Sequence, residues 1–225
     1  MSCRARLLAG GALIVAMLAS PGLRAQDQIS AAEKLLFQTD HFKNVASAAT
    51  LRYEFRKSGS AESAFDDSVE IRVRTADGAR RASVVFFTNT RNVDFPEVVR
   101  PEGNPVLLYF LERDIREMER LTRGKSGYFR KAIRLALARS ARVTQTQVTH
   151  GGRTLPATEI TIAPYLDDAL KDRIGTYAGK TYAFTLSPEI PGGIYSLHTI
   201  VPSPVGGAKE VPLIEERLRF VRIAR

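Results

Sequence analysis

Alternation of apolar and charged residues predicts strands in the first third of the chain. In residues 51–55 and again in 69–73, every second side chain is apolar and those between are Arg or Glu. Because successive side chains on a strand point to opposite faces, each run predicts a strand that is buried on one face. The dipeptide 77–78, Asp-Gly, suits a hairpin turn, and a strand over 83–88 then completes a meander.

In the middle of the chain the apolar spacing changes to four, four and three residues, at Leu107, Leu111, Ile115 and Met118. This period predicts an amphipathic helix over 106–123, and a second helix is predicted over 127–142. A shorter helix is predicted over 29–45, where Ser30 can cap the first turn. A helical turn is predicted over 165–174.

Further alternating or β-branched runs predict the remaining strands, at residues 143–150, 154–162, 182–186, 194–201 and 213–223. Such alternation is typical of an antiparallel sheet buried on one face, whereas parallel strands give continuous apolar runs. The pattern predicts a single α+β domain over 26–225. Its architecture is a curved antiparallel sheet of about seven to nine strands (an incomplete β-barrel), with an N-terminal helix and two central helices covering one face.

The first 25 residues have the pattern of a secretory signal peptide. Arg4 and Arg6 precede an apolar run of about 12 residues, and a small-residue exit follows, with cleavage predicted after Ala25. The run is too short to span a hydrocarbon core of ~30 Å, although an uncleaved anchor stays an alternative. Cys3, the only cysteine, lies before the apolar run and cannot be the acylated residue of a lipoprotein signal. We therefore expect a periplasmic protein without a disulfide.

The charge is concentrated in one part of the chain. Lys and Arg total 33 against 24 Asp and Glu, a net charge of +9, yet residues 120–158 contain no acid. The predicted basic surface comprises Arg120, Arg123, Lys125, Arg130, Lys131, Arg134 and Arg142. At 100° per residue, the last four fall on one arc of the second helix. Such a helix suits an anionic membrane surface or an acidic envelope protein, and the alternative is a solvated outer face. Export argues against nucleic acid as a partner.

Motifs of catalysis and of metal binding are absent from the sequence. The tripeptide 124–126, Gly-Lys-Ser, lacks the Gly that a phosphate-binding loop needs at position 119, which is Glu. No His-Glu-x-x-His or Gly-x-Ser-x-Gly occurs, and the adjacent acids at 66–67 would point to opposite faces of a strand. We therefore predict no catalytic residues, no metal and no cofactor, and only the fold could assemble such a site.

Aromatic residues are spread over the predicted strands. If they share the concave face of the sheet, they would line an apolar cavity together with two residues of the first central helix. The candidates are Tyr53, Phe55, Phe86, Tyr182, Phe184, Tyr195, Phe220, Leu111 and Ile115. The alternative is that these side chains form an ordinary core against the central helices.

The order of export signal, N-terminal helix, meander, central helices and further strands resembles the periplasmic lipoprotein-carrier family, the outer-membrane lipoprotein-sorting proteins. Residues 103–108, Gly-Asn-Pro-Val-Leu-Leu, are similar to the segment that begins the covering helices in that family. The chain departs from the family in having no Trp, and no position matches the family's Arg on an early strand. Residues 110–114 and 191–193 are also similar to segments of exported bacterial proteins of unknown function. The family resemblance implies a cavity for acyl chains and a basic surface near the membrane.

Two functions from different classes follow. The first is an exported binding or carrier protein for a lipid or other apolar ligand, with its basic helix facing a membrane or an acidic partner. The second is a non-catalytic envelope accessory module that binds another protein through an open sheet edge or its basic face. A hydrolase with dispersed catalytic residues is a third alternative.

Overall fold

The computed structural model describes residues 29–204 and 211–224, so the predicted signal peptide and its cleavage site lie outside the described residues. Four α-helices form in this part of the chain: α1 (Ala31–Phe37), α2 (Pro105–Thr122), α3 (Ser126–Arg139) and α4 (Lys171–Ile174). The strands are β1 (Ala49–Ser58), β2 (Phe65–Ala76), β3 (Ala79–Phe86), β4 (Val93–Asp94), β5 (Val98–Val99), β6 (Arg142–His150), β7 (Arg153–Ile162), β8 (Thr181–Leu186), β9 (Ile194–Val201) and β10 (Ile214–Ala224).

These strands form one antiparallel sheet in the order β4-β3-β2-β1-β10-β9-β8-β7-β6, with β5 pairing on β3. The strands at the two ends of this order do not pair with each other, so the barrel stays open. The last strand, β10, lies between β1 and β9 and joins two meanders that are each continuous in sequence. The predicted α+β fold with an incomplete antiparallel barrel is confirmed.

Local sequence explains the regular parts of the sheet. Leu51, Tyr53 and Phe55 are buried on β1 while the charged residues between them are exposed. At the β2–β3 turn, Asp77 and Gly78 have φ angles of 51° and 69°, which are the positive values that this hairpin turn requires. The predicted alternation therefore reports directly which side chains face the core.

The helices lie against one face of the sheet. Asn104 is the N-cap of α2, and its side-chain oxygen accepts a hydrogen bond of 3.1 Å from the amide of Val106. Helix α2 packs on β3, β9 and α3, and α3 packs on β7 and α1. Within residues 29–204 and 211–224, no helix has both the length and the apolar character needed to cross a membrane.

Three predicted helix boundaries are wrong. The first helix ends at Phe37, because the side chain of Asp40 accepts a hydrogen bond from the amide of Phe42 and forms a turn instead. The second central helix ends at Arg139, and Arg142 is the first residue of β6, paired with Thr161. The β-branched run that follows Arg142 favours a strand, so Arg142 is not on the helical arc predicted for it. In the segment 165–174 only α4, at its end, is an α-helix.

Candidate functional site

A groove opens between α1, α2 and α3 on the outer side of the helical layer. Its volume is about 320 Å³, within the range of ~300–1,000 Å³ common for small-molecule sites. Six apolar side chains line it, and four charged ones border it. The residues of this interhelical groove are Phe37, Leu108, Leu111, Ile115, Ile133 and Leu137, with Glu33, Glu112, Arg130 and Arg134. Leu108 is 50% exposed, so part of the apolar lining is open to solvent.

The charged border of the groove is partly neutralised. Arg130 on α3 donates two hydrogen bonds to the carboxylate of Glu112 on α2, at 2.9 and 2.8 Å. These bonds hold the pKa of Glu112 below its ordinary value, although partial burial opposes the shift. Glu33 is occupied by the capping box of α1. Arg134 forms no ion pair with the described residues, so the groove has one free cation at its border.

Under α2, the space that sequence analysis assigns to an apolar cavity contains charged side chains. Four charged residues there are at most 5% exposed: Lys57, Asp114, Lys180 and Glu216. With Arg113 and Glu117 of α2 they make three cations and three anions, which we call the interior charge layer. Arg113 forms two hydrogen bonds to Glu216, at 2.7 and 3.0 Å. Lys57 lies 2.8 Å from Glu117 and 3.5 Å from Glu216.

The second half of the interior charge layer is a chain of hydrogen bonds. Lys180 forms a direct ion pair with Asp114. The other oxygen of Asp114 accepts a hydrogen bond of 2.7 Å from the hydroxyl of Tyr182, and Tyr165 lies 3.0 Å from that hydroxyl. Since the single proton of Tyr182 goes to Asp114, Tyr165 donates to Tyr182. Asp114 therefore connects α2 to the start of β8 and to the segment before α4.

The pKa shifts in this layer stabilise its charged forms. Burial disfavours the charge on Glu216, yet Arg113, Lys180 and Lys57 together outweigh burial and hold the Glu216 pKa below its ordinary value. Burial also opposes the charge on Lys57, but its hydrogen bonds to Glu117 and Glu62 raise its pKa. The layer is thus a set of compensated buried charges, which cost several kcal/mol when one partner is removed.

A neutral polar cluster fixes the N-terminal end of α2. The amide of Asn104 donates a 3.0 Å hydrogen bond to Nδ1 of His41, and Nε2 of His41 lies 2.9 Å from the carbonyl of Leu35. The side-chain amide of Asn104 donates to the Gly192 carbonyl at 2.8 Å and to the Tyr53 hydroxyl at 3.1 Å. Burial lowers the pKa of His41, in agreement with the neutral ring that this arrangement requires.

Eight of the nine predicted cavity residues are members of one buried hydrophobic core, and the ninth, Tyr195, packs against it. Tyr53 packs edge to face on Phe220, Tyr182 stacks with Phe184, and Phe55 and Phe86 both pack on Phe87. The six predicted residues in these contacts are buried. Tyr195 is partly exposed and its hydroxyl donates to the carbonyl of Thr149. Leu111 and Ile115 are also buried, and they line the interhelical groove from below.

The predicted basic residues also differ in their surroundings. Arg120 pairs with Glu117 and Glu62, and Arg130 pairs with Glu112. Arg123, Lys125, Lys131, Arg134 and Arg142 form no ion pair with described residues. Arg123 and Lys125 lie at the junction of α2 and α3, where they line a depression of about 400 Å³ with Arg173 of α4. Acids from outside residues 120–158 therefore neutralise two of the predicted basic residues in the folded protein.

The interior charge layer was not among the predicted features, although the sequence carries a signal for it. Lys57 continues the inward positions of β1, two residues after Phe55, and Glu216 occupies an inward position of β10 beside Leu218. Asp114 lies on the buried face of α2, four residues after Phe110. Each of the three is a charged residue at a position where the local period places apolar side chains, and this mismatch is the signal. No cluster of His, Cys, Asp or Glu suited to a metal ion occurs among the described residues.

Comparison with known proteins gives structural similarity alone. No protein-family model and no curated protein matches the chain. Among solved structures, lipoprotein LppX of Mycobacterium tuberculosis aligns over 76% of this chain and 84% of its own, with 8% identity and a TM-score of 0.31. A LolA superfamily protein from Nitrosomonas europaea aligns over 85% and 92%, with 9% identity and a TM-score of 0.24. The strand order of the sheet defines the fold independently of these two structures.

Proposed function

We propose that the chain is an exported, periplasmic carrier or binding protein for a lipid or other apolar ligand, and that the interhelical groove receives the hydrocarbon part of that ligand. The observation that carries this proposal is the lining of the groove, where six apolar side chains surround a volume of about 320 Å³. Burying apolar surface of a ligand there is favourable by about 25 cal/mol per Å². The pattern of residues 1–25 supports the exported location.

The groove is a better ligand site than the space under α2. A hydrocarbon chain entering beneath α2 would separate the buried pairs of Lys180 with Asp114 and of Arg113 with Glu216. An uncompensated buried charge costs about 3–5 kcal/mol, which exceeds the gain from burying a few methylene groups. The free cation of Arg134 at the groove border suits an acidic head group.

The experiment compares binding of a fluorescent fatty acid to two variants. Leu108→Glu places a charge in the groove, and Leu166→Glu is the matched control because Leu166 is 53% exposed and lies outside it. We expect Leu108→Glu to weaken binding at least about five-fold, since covering the exposed half of Leu108 contributes roughly 1 kcal/mol of apolar contact. Native mass spectrometry of the wild-type protein should show co-purified lipid. Equal affinities for both variants, with no lipid bound, would contradict the proposal.

A second candidate is the envelope accessory module that binds another protein. One observation favours it, the open edge of the sheet at β6, where no strand of the described residues pairs on the outer side. The two candidates are separated by the same native mass spectra, because a carrier retains lipid and an accessory module retains a polypeptide.

A further inference from the structure

The two ends of the sheet are built differently. At one end, β3 is followed by β4 and β5, which are two residues long each and leave little backbone to pair. At the other end, β6 has nine residues and pairs only with β7 among the described residues. Proteins usually shorten, charge or cover an edge strand because its free amides and carbonyls pair with other chains. Here one edge is shortened and the other is left at full length.

The composition of β6 also favours pairing. Residues 143–149 read Val-Thr-Gln-Thr-Gln-Val-Thr, with no charge, no Pro and no Gly. All residues from 142 to 147 are exposed, and Val148 is the one buried residue of the strand. β-branched residues and Gln on an uncharged edge are suited to adding another strand, whereas an edge that avoids association carries Lys or Pro.

The strand is close to self-complementary about Thr146. An antiparallel copy centred on this residue places like side chains opposite each other: Thr146 with Thr146, Gln145 with Gln147, Thr144 with Val148, and Val143 with Thr149. Facing β-branched side chains and facing amides are both favourable cross-strand pairs. The outermost pair is Arg142 with His150, and the His150 ring is held against Phe220 at 5.2 Å. No two acids or two lysines meet in this register.

We propose that β6 is an interaction surface and that its partner is a second copy of this chain, paired antiparallel about a two-fold axis through Thr146. Each copy would give the outward amides and carbonyls of β6 to the other, apart from the Thr149 carbonyl that accepts from Tyr195, so that the sheet continues from one chain into the next. The contact is self-complementary, as a two-fold interface must be. It lies on β6 alone and does not use the interhelical groove, so it stands independently of the proposed ligand.

Disulfide formation at the axis tests the register. In a full chain carrying Cys3→Ser, the variant Thr146→Cys places two thiols opposite each other. Directly opposed Cα atoms in antiparallel strands are about 4.5 or 5.5 Å apart, and a disulfide spans about 4.4–6.8 Å. Thr149→Cys in the same background is the matched control, because its two copies lie six residues apart along the pairing, about 20 Å. We expect rapid dimer formation on mild oxidation for the first variant alone.

Sedimentation equilibrium tests the association without a cross-link. The wild-type mass should rise from one chain towards two across a concentration series, and Thr146→Lys, which sets like charges opposite each other at an exposed position, should remain at one chain. A wild-type protein that stays a single chain at about 1 mM would overturn the proposal, even if β6 bound an extended peptide. Equal cross-linking yields at positions 146 and 149 would overturn it as well.

Discussion

The backbone amide of Asn104 donates its hydrogen bond to Nδ1 of His41, 63 residues earlier in the chain. This ring nitrogen can accept only while the imidazole is neutral, since both nitrogens of a protonated ring are donors. The start of α2 is therefore tied to the protonation state of His41. Burial lowers the pKa of this residue below 6.5, so the unfolded chain binds the proton more tightly than the folded one.

The first prediction is a loss of stability in mild acid. The free energy of unfolding is highest above pH 6.5 and falls as the pH drops through 6.5 towards the folded-state pKa of His41. His41→Asn keeps a side-chain oxygen near the Asn104 amide but cannot titrate, so it should flatten this dependence. Urea unfolding between pH 7.5 and 5 measures the slope, and both proteins should carry His198→Asn because the pKa of His198 is also lowered. An unchanged slope would show that His41 is not the group responsible.

The second prediction concerns the buried pair of Lys180 and Asp114. Lys180→Met leaves the Asp114 carboxylate buried with the Tyr182 hydroxyl as its remaining partner, so the free energy of unfolding should fall by about 3–5 kcal/mol. The double variant Asp114→Leu with Lys180→Met should recover most of that loss. Arg153→Met is the control, because its pair with Glu189 is exposed and contributes at most about 1 kcal/mol. Similar losses for Lys180→Met and Arg153→Met would mean that Asp114 is not left uncompensated.

The third prediction separates backbone strain from steric overlap at two glycines. Gly192 and Gly152 have φ angles of 78° and 75°, so alanine is strained equally at both positions. At Gly192 the added Cβ would lie 2.3 Å from Cδ2 of Leu51 and 3.0 Å from Nδ2 of Asn104, whereas at Gly152 nothing lies within 4 Å. We expect Gly152→Ala to cost about 1–2 kcal/mol and Gly192→Ala about 1–3 kcal/mol more in chemical unfolding. Equal costs would indicate that the turn at Gly192 moves aside freely.

The fourth prediction tests the anionic membrane surface that the basic helix was expected to face. Lys131 and Arg134 are exposed and form no ion pair with described residues, and each contributes about 1 kcal/mol near an anionic bilayer. Reversing both charges by Lys131→Glu with Arg134→Glu loses at least the attraction of two cations, so binding to phosphatidylglycerol vesicles should weaken about thirty-fold or more in co-sedimentation. Lys43→Glu with Arg222→Glu changes the net charge equally at exposed positions outside the basic surface. An equal loss of vesicle binding in both double variants would show that binding depends on net charge and not on this face of the helix.

Sequence patterns predicted the sheet well because strand period and turn chemistry are local. The positions of Leu51, Tyr53 and Phe55 depend only on alternation, and the turn at Asp77–Gly78 depends only on positive φ angles. The ion pair of Arg130 with Glu112 joins residues 18 apart on two helices, and it cannot be read from either helix alone. Local pattern therefore predicted the elements, and tertiary pairing decided which basic charges remain free.

The predicted apolar cavity shows the same contrast between what local pattern predicts and what tertiary packing decides. Tyr53 and Phe220 were both predicted to face inward, and they do, but nothing local indicated that they would pack on each other. Lys57 and Glu216 face inward too, in register with the apolar side chains of β1 and β10. Arg113 of α2 compensates Glu216 from about 100 residues earlier in the chain, and Glu117 of the same helix pairs with Lys57, so only the assembled fold makes those two positions acceptable.

The place of β10 in the sheet sets the order in which the molecule can be completed. It pairs with β1 on one side and β9 on the other, and Glu54 meets Arg219 in that register although 165 residues separate them. A growing chain can form the β1–β3 and β6–β9 meanders early, but each keeps an unpaired edge until β10 is synthesised. Closing such a long loop is slow, so completion of the sheet should wait for β10. Loss of β10 would then separate the sheet into two halves instead of trimming its border.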